Sequence, residues 1–335
     1  MHAKGHLQIW LPFFKKSGYD QRQFQEAVFN YGVVDGTQRF IPLEYGIPLC
    51  VTTQSLAEEY GLDKIGEELN YQNYYELLSK IKDMDICWFS EIESFRDRMI
   101  PAFIDEGSLE GQFTSPKFYK SIEEYRKLKS NQAKYTLDTE IKVDYMEALV
   151  NQRLIFYNEP MTSDRYLDFR VDNYLGTPEG KKDPLLLYPI KEYNGEDYCA
   201  YVGEMMAINE NSNRKNKAWE IIEKSISTSF QSSISGGSSC PIIRNPINIE
   251  AQITNQRDWM NSGSVMQKRA RKDFVDQYYE LLNSVTKCDC LTYNSMYVQE
   301  IFDPLYLEYE SGTKTLDEFI KELQNKTGLY LKEQN

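Results

Sequence analysis

Imidazole chemistry is almost absent from this sequence: its only histidines are His2 and His6, at the extreme N-terminus. A Ser-His-Asp relay, an HExxH zinc site and most imidazole acid–base catalysis therefore lack their central residue. The six cysteines, Cys50, Cys87, Cys199, Cys240, Cys288 and Cys290, are scattered and too few for a disulfide scaffold at 335 residues. Cys288-Asp289-Cys290 has neither a second cysteine pair nor a nearby histidine, so a structural role is expected rather than a metal. Gly236-Gly237 lacks the Gly-Lys-Ser/Thr continuation and the preceding strand of a phosphate cradle, and reads as a loop. What remains is carboxylates and rings. Aromatic residues are 13% of the chain, with 25 Tyr and 4 Trp, which points to flat amphipathic contact surfaces. Trp88 and Phe89 stand beside Glu91, and Asn158-Glu159 closes an apolar run before Pro160, a common place for polar side chains to meet a ligand.

The charge balance removes another class of partner. Lys and Arg total 38 against 51 Asp and Glu, a formal net charge of -13, the wrong sign for neutralising phosphates, so no nucleic-acid partner is expected. No segment approaches the roughly 18 uninterrupted apolar residues of a membrane span. The opening residues carry no apolar signal core.

Residues 1–30 read as loop, helix and loop, with Phe24, Val28 and Phe29 spaced for one buried face. Around Asp35-Gly36 the flanking runs predict a hairpin, because Asp-Gly supplies the positive φ of a tight primed turn. A strand over 49–53 passes into a helix over 54–60 that Gly61 terminates. Helical stripes follow: Tyr74, Leu77, Leu78 and Ile81; Phe95, Met99 and Phe103; then Phe118, Ile122, Tyr125 and Leu128, opened by Ser115-Pro116. Tyr145, Leu149 and Val150 continue the helical pattern. Strands are expected at 153–157, 185–190 and 199–208, and a helix over 217–230 with Trp219, Ile222 and Ile226 inward. Residues 232–239 form a Ser/Gly interruption, after which helices are predicted at 264–284, 294–309 and 315–326, the last opened by a Thr315/Glu318 capping box. This alternation predicts an α/β fold with partly parallel sheets.

Three passages in order resemble the extracellular solute-binding proteins of bacterial ABC importers, family 1, in the sugar-binding branch related to maltodextrin-binding protein. They are VDGTQRFIPLEY at 34–45, YVGEMMAIN at 201–209 leading into SNRKNKAWE at 212–220, and 312–323 with Leu316-Asp317-Glu318 inside it. The resemblance spans about residues 5 to 330. It implies a two-lobed periplasmic-binding-protein-like (type II) α/β fold. Lobe one would be 1–44 and 204–262, lobe two 45–203 and 263–335, with crossing strands near 41–53 and 199–209. The family's signal peptide, lipid-anchored cysteine and opening strand-helix-strand unit have no counterpart here, so lobe one is expected to be incomplete at its N-terminus.

By the same resemblance the chain is a monomeric, non-enzymatic receptor that takes a carbohydrate into an interlobe cleft and delivers it to ABC permease subunits. It would work at the cell surface, as a membrane-anchored lipoprotein in full-length form, without a cofactor. Pyranose rings present C–H faces to Tyr and Trp, while their hydroxyls seek planar polar partners. The implied contacts are Glu44 and Tyr45 on the first crossing, Tyr201 and Glu204 on the second, Tyr293 and Tyr297 at a late helix, Trp88 with Glu91, and Glu159. Two other readings stay open: a glycoside hydrolase pairing two of Glu91, Glu159 and Glu204, and a degenerate fragment without a ligand.

Overall fold

Two extended segments lying antiparallel to each other organise the chain. The computed structural model describes residues 11–34, 36–65, 69, 70, 72, 73, 96, 97, 99–105, 108, 110–135, 157–159, 174, 180, 182–193, 198–202, 204–233, 245–261, 265–289 and 297–334. Its strands are β1 (Val33–Val34), β2 (Thr37–Gln38), β3 (Ile41–Pro42), β4 (Glu44–Gly46), β5 (Leu49–Thr53), β6 (Ile104–Asp105), β7 (Glu110–Gly111), β8 (Tyr157–Glu159), β9 (Leu185–Pro189), β10 (Cys199–Val202), β11 (Met205–Met206), β12 (Asn245–Pro246) and β13 (Lys287–Asp289). Residues 41–53 run through β3, β4 and β5 with only Leu43 and Ile47-Pro48 between the strands. Opposite them, in reverse, run β9, β10 and β11. Thr53 faces Leu185 and Leu49 faces Pro189; the Ile190 amide donates to the Pro48 carbonyl at 3.0 Å; Gly46 faces Tyr201 and Ile41 faces Met206. The pairing partners of 41–53 therefore begin at Leu185, with β9, and continue with β10 and β11 within the expected 199–209.

These two segments enter three sheets, β3 and β11 pairing in a two-stranded sheet and the rest in two larger ones. One has the order β12-β4-β10-β13, the other β8-β5-β9. Among the described strands the only parallel pair is β10 with β13, so the sheets are less parallel than helix–strand alternation predicts. The helix Val265–Asn283 touches both sheets, Gln277 donating to the Leu187 carbonyl of β9 at 3.2 Å and Tyr278 to Asn245 of β12 at 2.6 Å. Near the first sheet lie the helices Lys215–Ile226, Thr228–Ser233 and Ile249–Asn261 together with an N-terminal aromatic group. In that group Phe14 lies 5.7 Å from Phe24 and 5.5 Å from Phe29, and the Trp219 indole N–H donates to Ser17 Oγ at 2.8 Å. Beside the second sheet pack the helices Gln54–Tyr60, Pro116–Tyr135, Asp303–Glu310 and Leu316–Gln334. Phe103, Phe113 and Phe118 interlock there, and Gln324 donates to the Gly111 carbonyl at 2.6 Å.

The hairpin forms as the Asp35-Gly36 pair predicts: β1 pairs antiparallel with β2 and Gly36 sits at φ 69°. Thr53 caps the helix after β5, its hydroxyl accepting from the Leu56 amide, and Gly61 ends it at φ 74°. Phe118, Ile122 and Tyr125 are buried as their spacing predicts. Two departures have local causes. Met99 and Phe103 are buried but do not share a helix, because Pro101 opens a 3-10 turn and β6 follows at once. The expected helix over 217–230 breaks at Ser227, whose extended backbone (ψ 145°) ends the first helix while its hydroxyl accepts from the Phe230 amide in the second. β8 begins at Tyr157, where the sequence places the end of a strand; 153–156, the stripes at 74–81 and 145–150, Phe95 and Gly236-Gly237 lie outside the described residues.

The last helix runs on to Gln334, past Gly328, beyond the expected end at 326. Its capping box is in place: the Thr315 amide donates to Glu318 Oε2 at 2.8 Å and the Glu318 amide donates to Thr315 Oγ1 at 3.3 Å. Those Thr315 donors hold the Glu318 carboxyl below the usual carboxylate range. Its contribution to stability is therefore complete above the ordinary carboxylate pKa and is lost as pH falls through the lowered value. Thr315→Ala should lower the melting temperature by about 2 °C near neutral pH and flatten the acid limb of the stability profile, measured by thermal denaturation from pH 7 to 3. An unchanged acid limb would mean that the box contributes nothing.

Candidate functional site

The candidate site lies where the two segments pass from one sheet to the other. Antiparallel partners share a face, so Tyr201 and Gly46 project to one side of the first sheet, and Val202 and Tyr45 to the other. Alternation puts Cys199 and Glu44 with Tyr201. Tyr45 is fully buried (0% exposed), and its hydroxyl accepts from Gln252 Nε2 at 2.9 Å and donates to the Leu282 carbonyl at 3.5 Å. Helices pack on that face, so Tyr45 is a core residue that fixes the first crossing segment. The opposite face has a different character. Tyr201 and Cys199 are buried there as a pair apart from the main core, Glu44 is buried on the same side, and Gly46 stands opposite Tyr201 in the ladder.

The Tyr201 hydroxyl donates to Glu192, a residue that sequence reasoning missed. Glu192 lies in the detour between β9 and β10, and both its neighbours are held at the second sheet. The Lys191 amide donates to the Leu69 carbonyl at 2.9 Å, and the Tyr193 hydroxyl hydrogen-bonds Ser121 Oγ at 2.5 Å while its ring lies 6.0 Å from that of Phe103. A detour inside a ladder has no period, so nothing in the sequence singles Glu192 out.

The other expected contacts scatter. Glu204 is exposed, and its backbone carbonyl accepts from the Leu43 amide at 2.9 Å between β10 and β11. Tyr297 is buried, its hydroxyl bonded to Thr327 and its ring 5.6 Å from Tyr330, which packs it against the C-terminal helix. Trp88, Phe89, Glu91 and Tyr293 lie outside the described residues, as does the side chain of Glu159, whose backbone pairs with Leu49. Of the nine expected residues, the structure thus brings Glu44 and Tyr201 to one face of the first sheet, and adds Glu192. A phenol held by a carboxylate, on the sheet face that also carries Glu44, is the kind of group that can accept hydrogen bonds from a polyhydroxylated solute and stack on its C–H groups where the two are brought into contact. Among the described residues no group of acidic, histidine or cysteine side chains could hold a metal, and no helix is long and apolar enough to cross a membrane.

No family model matches the sequence, and no curated protein matches it. Solved structures do. The sugar-binding protein MalE from the phytopathogen Xanthomonas citri is 16% identical with a TM-score of 0.61, covering 98% of this chain and 80% of that one. An ABC substrate-binding protein from Listeria monocytogenes in complex with cycloalternan is 10% identical with a TM-score of 0.63, over 98% and 81%. Maltose-bound MalE3 of T. maritima is 16% identical with a TM-score of 0.60, over 97% and 80%. At such identities the likeness is one of fold: the chain has the two-lobed architecture of periplasmic solute-binding proteins.

Proposed function

We propose that a two-lobed chain of this architecture captures a carbohydrate between its lobes and delivers it to an ABC permease, acting as a receptor and not as an enzyme. The observation that carries the reading is the polar, aromatic face of Tyr201, Glu192 and Glu44 at the passage between the two sheets. A solute gripped there from both sides favours the closed form only because it touches both lobes when they meet, and the closed form is what a permease would select. On this reading 1–44 and 204–262 make one lobe and 45–203 and 263–335 the other, with crossing strands near 41–53 and 199–209. Trp88, Glu91, Glu159 and Tyr293 remain proposed contacts alongside Glu204, while Tyr45 and Tyr297 act behind the surface. On this reading the receptor works as a monomer outside the membrane, as a lipid-anchored protein, and needs no cofactor. That the same fold is found in the sugar-binding MalE of Xanthomonas citri and in maltose-bound MalE3 of T. maritima supports this assignment.

The test is a panel of mono- and oligosaccharides read by thermal denaturation and calorimetry, with reducing ends assayed in parallel. A sugar at a hundred times its Kd should stabilise the protein by about 2.7 kcal/mol without yielding products. Release of reducing ends would replace the receptor by a hydrolase; a panel with neither stabilisation nor products would sink the reading.

A further inference from the structure

Glu192 is a single residue whose two neighbours are bound to one half of the molecule while its own side chain is bound to the other. Lys191 is tied by its amide to Leu69 and bridges Asn70 in parallel register. Tyr193 is buried, with its hydroxyl on Ser121 of the helix Pro116–Tyr135, its ring against Phe103, and Lys117 Nζ 5.8 Å above it. Between them Glu192 accepts the hydroxyl proton of Tyr201, which stands on β10 in the other sheet and is 1% exposed. Near both of these residues the chain is paired with 41–53: the Ile190 amide donates to the Pro48 carbonyl, and Tyr201 lies opposite Gly46.

We infer that Glu192 is a positioning residue, a latch that sets the orientation of the Tyr201 ring and ties the position of that ring to the placement of the second half of the molecule. The Tyr201–Glu192 hydrogen bond joins a β10 side chain of the first sheet to a residue whose neighbours are tied to Leu69 and Ser121. A charge-assisted phenol–carboxylate bond is among the stronger and more directional side-chain contacts. Its loss frees the Tyr201 ring and loosens the angle between halves together. What the latch serves, a sugar gripped by Tyr201, rests on the receptor reading; the latch itself does not.

The experiment therefore uses no sugar. A ketone-bearing amino acid placed at the exposed positions Ile253 and Leu329, one on a helix of each half, is spin-labelled in the full chain so that the native cysteines stay untouched, and the label-to-label distance distribution is recorded. The parent should give one narrow distribution. Glu192→Ala and Tyr201→Phe should each broaden it and shift its mean by several ångströms, the double variant should do no more than either alone, and Glu192→Gln, which keeps a carbonyl acceptor for the phenol, should recover the parent distribution. Tyr201→Phe removes one oxygen atom only, so it decides the matter even where Glu192→Ala fails to fold. Parent-like distributions in Tyr201→Phe, or a Glu192→Gln variant as broad as Glu192→Ala, would overturn the latch. Failure of the sugar panel with broadened variants would overturn the receptor reading and leave the latch standing.

Discussion

Phe302→Ala should lower the stability of the protein by about 3–5 kcal/mol, the range for truncating a buried aromatic side chain whose surroundings collapse only in part. Phe302 is fully buried and sits at the centre of a ring cluster that joins three helices. Its ring stacks on Tyr306 at 5.6 Å and meets Phe319 edge-on at 5.7 Å and Tyr125 at 6.2 Å. These partners come from the helices Asp303–Glu310, Leu316–Gln334 and Pro116–Tyr135. No one of them can follow inward without leaving the other two, so the cavity persists. Tyr306 is further fixed by Lys129 Nζ, 4.8 Å from its ring centroid, and burial pushes its phenol pKa upward. Urea denaturation checks the value. A loss under about 1 kcal/mol would mean that the cluster relaxes freely and does not organise the second half.

The same cluster illustrates how much could be read beforehand. Phe118, Ile122 and Tyr125 recur every three or four residues, and a helix that buries that stripe follows from periodicity alone. Turn chemistry was equally legible: Asp35-Gly36, Gly61 and the Thr315/Glu318 box act locally, and tertiary context did not override them. Where the sequence misleads, a neighbour outvotes the period. Pro101 stops a helix that Phe95, Met99 and Phe103 imply, and Ser227 satisfies two helix ends at once. The site was less legible than the fold. Tyr45 and Tyr201 are both tyrosines on adjacent crossing strands, and sequence alone gives them equal standing. Register separates them, because a Tyr45 paired with Val202 and a Tyr201 paired with Gly46 must point to opposite faces. Glu192 stayed hidden because its importance arises from what its neighbours bind.

That division of faces leads to the second large effect, which falls behind the site. Asn245→Leu should cost about 2–6 kcal/mol, since it deprives two buried groups of their partners at roughly 1–3 kcal/mol each. Asn245 is fully buried on β12. Its amide nitrogen donates to the Tyr45 carbonyl at 2.8 Å, and its oxygen accepts from the Tyr278 hydroxyl at 2.6 Å. Gln252 repeats the pattern one step away, donating to the Pro246 carbonyl at 2.7 Å and to the Tyr45 hydroxyl. A leucine fills the volume but leaves the Tyr45 carbonyl short of a donor and the Tyr278 hydroxyl short of an acceptor. Asn245→Asp tests the direction of the network: a carboxylate can still accept from Tyr278 but turns an acceptor toward the Tyr45 carbonyl, so it should be at least as damaging as leucine at pH 7 and should improve on acidification, as protonation restores a donor. Tyr278→Phe should cost less than Asn245→Leu, and combining the two should cost less than their sum, because the second change removes a group that the first has already orphaned. Full additivity in urea denaturation would show that the two residues do not share one network. Since β4 carries Tyr45 on its core face and Glu44 on the other, loosening this support should also weaken any sugar found in the panel, through a residue that never touches it.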